Sequence, residues 1–283
     1  MVYLEGFTLP SVMREELFLG DIKMTCFNDF YPFGIFPPKE LEFLAFEPIT
    51  IFYGSNGSGK TTLINVIAEK IRAFRNAPYN KSNFFDDYVD MCSEHWETSY
   101  HDSTVITSDD VFDYIFDVRR INEGVDDKRD DLMEEYLNLK YSRFQMRSLD
   151  DYEQLKKVNQ ARRGSKSDYI RQSLMKNVPE RSNGESALMY FTNKIKENQV
   201  YLLDEPENSL SAEYQSELLQ FIEDSARFFN CQFIIATHSP FILAAKYARI
   251  YDLDSKPVTV KKWTELENVR KYFDFFMEHK EEF

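Results

Sequence analysis

Two short segments hold the residue types that could do chemistry. GSNGSGKTT, residues 54–62, sets Gly54, Gly57 and Gly59 among Ser55, Asn56 and Ser58 and ends on Lys60, Thr61 and Thr62. Glycines at that spacing let a backbone curl tightly around phosphates, because no Cβ stands between the N–H groups and the anion. Lys60 supplies a point charge for the β and γ phosphates, and Thr61 offers a hydroxyl to magnesium. The second segment, VYLLDEPENSLS (200–211), runs from an apolar stretch into Asp204 and Glu205. An acid at the carboxyl end of a buried strand can hold magnesium directly or through water. Glu205 points elsewhere and is placed to orient and deprotonate an attacking water. The alternative at this turn is a plain helix start, with Asn208 or Ser209 capping the helix AEYQSELLQFIEDSARFF.

Such residues need a frame that brings them to one edge. ITIFY (49–53) is a short apolar, β-branched and aromatic run that delivers the chain into the glycine loop. LINVIAEKI after it has helical spacing at Leu63, Ile64, Ile67 and Ile71. Strand, glycine loop and helix together are the context of a P-loop, with the helix's positive end aimed at the anion. CQFIIATHSP (231–240) reads as another buried strand, and it puts His238 at the same edge as Asp204 and Glu205, within reach of a γ phosphate. A structural histidine is the alternative.

These pieces, in this order, resemble the ATP-binding-cassette ATPases, and within them the soluble SMC and RecF type more than transporter subunits. The resemblance implies an α/β P-loop NTPase fold with a mostly parallel sheet, a β-rich N-terminal part and a helical insertion. It implies ATP and magnesium as cofactors. By it, Gly54 to Thr61 is the Walker A loop, Asp204 the Walker B acid, Glu205 the catalytic base and His238 the switch histidine. It also gives SNGE (182–185) a role as the signature, in which Ser182, Asn183, Gly184 and Glu185 close over the γ phosphate held by a partner protomer. A helix follows, with Leu188, Phe191 and Ile195 on one face, and then the Walker B strand. The bland reading of the same stretch is a capping box, Ser182 capping and Glu185 reaching back. The chain departs from the family pattern at Arg181, Asn183 and Ser211, where a Leu, a Gly and an Asp are usual. Residues 63–144 contain no Gln, so Gln145 and Gln154 are the candidates for the Q-loop.

The resemblance further implies a homodimer formed on ATP binding, acting as the motor or switch of a larger complex with a protein partner. Stand-alone ATPases of this look resemble subunits of bacterial anti-phage and toxin-type cassettes. The competing readings are a slowly hydrolysing, nucleotide-gated binding module and a transporter ATPase.

The 283 residues suit one α/β ATPase domain over 1–283, with a helical lobe inserted at about 72–180. Within that lobe STVIT (103–107) reads as a strand. Asp109 to about Tyr141 reads as helix interrupted by NEGVDDKRDD, with no heptad run long enough for a coiled-coil arm. The net charge of −14 argues against adhesion of the whole surface to nucleic acid or acidic lipid. One focused basic patch, Lys156, Lys157, Arg162, Arg163, Lys166 and Arg171, could contact nucleic-acid phosphates; a solvated helix face explains it equally well. Three widely spaced cysteines, Cys26, Cys92 and Cys231, suit a reducing cytoplasm. The start MVYLEGFTLP lacks a signal pattern, and no apolar run approaches the roughly 20 residues of a membrane span. Cys92, His95 and His101 lack a fourth ligand at zinc spacing and read as structural. Tyr31, Phe33 and Phe36 could stack on adenine, with core packing the stronger reading. YDLD (251–254) reads as a terminal strand, and the tail from Trp263 as an amphipathic helix packed on the sheet.

Overall fold

The computed structural model describes residues 1–283 except 23–25, 98–100, 145–150 and 180. In chain order the elements are β1 (Leu4–Thr8), α1 (Val12–Asp21), β2 (Phe43–Ala45), β3 (Ile49–Tyr53), α2 (Lys60–Lys70), α3 (Phe85–Met91), β4 (Ser93–Trp96) and β5 (Ser103–Thr107). Next come α4 (Ser108–Tyr141), α5 (Tyr152–Arg163), α6 (Lys166–Ser173), α7 (Asn183–Lys194), β6 (Val200–Asp204), α8 (Ala212–Phe228) and β7 (Gln232–Ala236). The chain closes with α9 (Pro240–Leu243), β8 (Arg249–Asp252), β9 (Thr259–Val260) and α10 (Glu267–Glu278).

Two compact units divide these elements: Met1–Phe112 with Asn183–Phe283, and Asp113–Ser182. Residues 72–112, including α3, β4 and β5, therefore fold with the first unit. Its main sheet has the order β5-β6-β7-β3-β8-β9, parallel throughout except for the β8–β9 pair. Every residue of β3 and β7 is buried, as continuous apolar runs in a parallel sheet covered on both faces must be. The first two residues of YDLD end β8, yet β8 is not terminal: the short antiparallel β9 forms the edge on that side of the sheet.

A second sheet, β2-β1-β4, is antiparallel and forms the β-rich N-terminal part. Buried Gln232, at the start of β7, joins the two sheets. Its Oε1 accepts from Tyr3 N and Leu4 N, both at 2.9 Å, and its Nε2 donates to Leu4 O at 2.8 Å. Helix α2 lies deep in the same core, with Leu63, Ile64, Val66 and Ile67 fully inaccessible.

The second unit is helical. α4 runs unbroken through NEGVDDKRDD, where the polar composition had suggested an interruption. Two side chains explain the continuity. Val125 is buried, and buried Asn122 accepts from Val178 N (2.8 Å) and donates to Val178 O (2.9 Å). One helical Gly, Gly124, costs only about 1 kcal/mol. Farther along, Tyr136 of α4 packs with Ala161 of α5 and Tyr169 of α6.

The tail also differs from expectation. Only the start of α10 docks, through buried Leu266 and Val269 and a bond from Asn268 N to Tyr53 Oη (3.1 Å). Tyr272, Phe273, Phe275, Phe276 and Met277 stand about half exposed. No helix among the described residues is long and apolar enough to cross a membrane.

Candidate functional site

In a parallel sheet the C-terminal strand edge collects ligands, and four strands here deliver polar residues to it. β3 opens into the glycine loop, β6 ends on Asp204, β7 leads to His238, and β8 leads to Asp254. The loop needs its glycines for stated reasons. Gly57 and Gly59 have φ of 80° and 96°, conformations that a side chain strains. A Cβ on Gly54 would lie 2.4 Å from Ser58 Oγ. A cavity of about 420 Å³ follows, lined by Ile35, the loop from Asn56 to Thr62, and Glu205. Ser58 Oγ is buried there with no protein partner. A glycine loop leading into a helix N-terminus, a lysine and an orphaned hydroxyl fit a bound polyphosphate.

Lys60 is 4% exposed; its Nζ donates to Gly54 O (2.8 Å) and Ser55 O (3.2 Å) and lies 3.8 Å from Glu205 Oε1. Thr61 Oγ1 donates to Asp204 Oδ1 at 3.1 Å. A hydroxyl and a carboxylate in contact are the hard oxygen donors that magnesium takes. Thr62 is buried in α2, and its Oγ1 accepts from Tyr31 Oη at 3.1 Å. Glu205 has a left-handed φ of 48°, held by its N–H bond to Ala236 O (2.8 Å). Glu205 Oε1 is 3.8 Å from His238 Nδ1 as well as from Lys60 Nζ, and Asn208 donates to its other oxygen at 3.3 Å.

Burial above all pushes Asp204 up from its ordinary 3.8 to about 6, with the Glu205 charge adding to the rise and the Thr61 bond opposing it. The folded chain then holds this proton more tightly than the unfolded chain, so stability falls as pH rises from about 4 to about 6 and levels off above. Asp204→Asn keeps the acceptor for Thr61 and removes the charge. In chelator, its melting temperature is expected to exceed the parent's above about pH 6, by the equivalent of up to about 3 kcal/mol. The two curves are expected to converge near pH 4. Parallel curves across that range would contradict the raised carboxyl.

Residues 182–185 stand at the start of α7, with Asn183 its first residue, Ser182 just before it and Glu185 in the first turn. Gly184 is required by packing, since a Cβ there would meet Tyr214 Cδ2 at 2.7 Å. The α8 cap is Ser211, whose side chain accepts from Tyr214 N, so neither Asn208 nor Ser209 caps it. Ser211 is the cap because the turn from Glu205 to Leu210 is already closed by Asn208 N to Glu205 O and Leu210 N to Glu207 O. Gln154 lies in α5 of the second unit, and Gln145 lies outside the described residues. The residue in register beside Asp204 on β5 is Thr107.

Other expectations resolve locally. Phe33 and Phe36 belong to the buried core. His95 bonds Thr8 Oγ1 at 2.8 Å, the His101 ring packs against Tyr3 at a tilt of 43°, and burial pushes the Cys92 thiol up to about 12, which disfavours the thiolate a metal needs. In the basic patch Lys157 pairs with Glu135 (2.7 Å) and Lys156 with Glu153 (3.9 Å), while Arg162 donates to Ser142 O (2.6 Å). Two contributors went unread in the sequence. Asp254, in the DxD of YDLD, accepts from Ser55 N (2.7 Å) and Ser55 Oγ (2.9 Å) and braces the glycine loop. Glu207 bonds Thr237 and His238 across the sheet edge. The last acid of each short motif, DEPE and YDLD, was the available signal.

Comparison with known proteins gives two family-model matches. The ABC transporter family model matches residues 44–208, more than half of the chain, including the glycine loop and the Asp204–Glu205 turn. A second family model, described as "AAA domain, putative AbiEii toxin, Type IV TA system", matches residues 187–244. Comparison with curated proteins gives no match. Among solved structures, the Smc head domain with an extended coiled coil bound to the C-terminal domain of ScpA, from Pyrococcus furiosus, is 14% identical; 99% of this chain and 100% of that chain are covered, at a TM-score of 0.42. The SMC head domain from Thermotoga maritima is 13% identical, with 92% and 99% covered and a TM-score of 0.38. Stu0660 of Streptococcus thermophilus is 14% identical, with 84% and 76% covered and a TM-score of 0.40.

Proposed function

The chain belongs to the ABC transporter family, and on that premise we propose that it hydrolyses ATP with magnesium and that two copies close on each other around the nucleotide. The observation that carries this reading is the meeting of Lys60, Thr61, Asp204 and Glu205, from segments 143 residues apart, at one edge of one sheet. The loop N–H groups and Lys60 bind the phosphates, and Thr61 and Asp204 hold the metal. Magnesium, when bound, neutralises charge on the phosphate oxygens. Glu205 accepts a proton from water as the water attacks the γ phosphorus and ADP leaves. His238 supports the same end of the phosphate chain. Ser182 and the first turn of α7 serve the nucleotide of the other copy, with a helix N-terminus as the anion site. The basic face of α5 and α6 is the candidate contact for a phosphate-bearing partner, and the AAA-domain match supports a place in a toxin-type cassette.

Complementation between two inactive variants tests the shared site. Lys60→Ala spoils its own glycine loop, and Ser182→Arg sets bulk and charge against the facing phosphate. In a mixed dimer the Ser182→Arg loop faces an intact signature on the Lys60→Ala chain, so one site is whole. Random pairing at equal concentration makes about half the dimers mixed, and the mixture is expected to regain up to about a quarter of parent turnover per chain. Full activity of Ser182→Arg by itself would overturn the shared site and leave residues 181–186 as a helix cap.

A further inference from the structure

We propose that Glu207 is a positioning residue for His238, taking the Nδ1–H of its imidazole so that Nε2 is the ring nitrogen left to reach the substrate. Glu207 sits in the turn after β6 and is 6% exposed. Its Oε1 accepts from Thr237 Oγ1 at 2.6 Å and from His238 N at 3.0 Å, so this carboxylate already fixes the backbone from which the histidine projects. His238 Nδ1 lies 3.3 Å from the same oxygen without the alignment of a hydrogen bond. Glu207 Oε2 is also buried and unpartnered.

A buried acceptor without a donor is costly, and so is a buried ring nitrogen without a partner. The unpartnered nitrogen stands beside the carboxylate whose second oxygen is unused. An ionised carboxylate accepts only, so the pairing is satisfied when Nδ1 carries a proton. The His238 side chain is 43% exposed, which leaves the ring room to turn into line with Oε2, the oxygen that Thr237 and His238 N leave unused. Glu205 Oε1 is the competing acceptor, but at 3.8 Å it lies farther from the same nitrogen than the 3.3 Å of Glu207 and is equally close to the Lys60 ammonium. A partner on one ring nitrogen sets the tautomer and hence the role of the other.

Imidazole 15N spectra of the full chain test the assignment without any appeal to hydrolysis. The chain has four histidines, and His238→Ala identifies the His238 signals by their loss. At about pH 8.5, well above an ordinary imidazole pKa, the parent is expected to carry the His238 proton on Nδ1. Glu207→Gln keeps an acceptor for Thr237 and His238 N, and its amide turns a donor toward Nδ1, so the proton is expected to move to Nε2. Glu205→Gln is expected to leave it on Nδ1. The same tautomer in the parent and in Glu207→Gln would overturn the proposal.

A kinetic arm rests on the ATPase reading above. Glu207→Gln is expected to lower kcat about 10-fold or more with KM for ATP little changed, and to add nothing in a His238→Ala background. An equal loss in both backgrounds would also overturn the proposal, because a merely structural role moves both alike. A chain that never hydrolyses ATP would sink the ATPase reading alone, and the spectra would still decide the role of Glu207.

Discussion

Glu205→Gln is expected to cut steady-state ATP turnover by about 10²- to 10⁴-fold while ATP binding is kept. The substitution preserves shape at a position whose backbone is already committed, with a left-handed φ of 48° and an N–H bond to Ala236 O. Gln can still accept from Asn208, as Glu205 does at 3.3 Å. What it removes is the proton acceptor that a water attacking the phosphate needs. It also removes a negative charge that opposes ionisation of Asp204, so metal and nucleotide binding should be no weaker. With hydrolysis blocked and ATP held, two copies are expected to remain closed, and light scattering should report a dimer only when ATP is present. Turnover within twofold of the parent would remove Glu205 from the role of base. A variant that binds ATP and stays monomeric would contradict closure of two copies.

The residues of this site were legible in the sequence to different depths. Gly57 and Gly59 were readable because their left-handed backbone is a demand of the loop itself. The strands ITIFY, VYLL and QFII were readable because a parallel strand covered on both faces has to be apolar throughout. Asp204 and His238 followed from their places at the ends of those runs. Glu207 and Asp254 did not follow, because their partners are 31 and 199 residues away and come near only through the strand order. Gly184 was noticed as part of a motif, yet its need for glycine comes from Tyr214 on α8, a contact that no local pattern encodes. The polar stretch inside α4 misled for a related reason. Its one buried polar side chain, Asn122, is satisfied by Val178, which lies beyond α5 and α6. Amphipathic spacing in the tail gave the helix correctly but not its docking, since spacing describes a face and not what covers it.

Lys60→Ala is expected to weaken ATP binding by on the order of 100-fold, about 3 kcal/mol. Its ammonium is nearly enclosed, 4% exposed, and held by the carbonyls of Gly54 and Ser55 at 2.8 and 3.2 Å. A cation fixed in a partly desolvated loop forms charge-assisted bonds to phosphate that water does not weaken fully, and truncation leaves the anion without that partner. Stability should change much less than affinity, because the loop keeps its Asp254 brace on Ser55, and equal melting curves would separate lost binding from lost folding. Calorimetric titration of ATP with magnesium into the parent and into Lys60→Ala tests the central claim most directly, that residues 54–62 and Asp204 form one nucleotide site. The account predicts saturable binding of one ATP per chain by the parent and binding on the order of 100-fold weaker by the variant; equal affinity in the two proteins would contradict it.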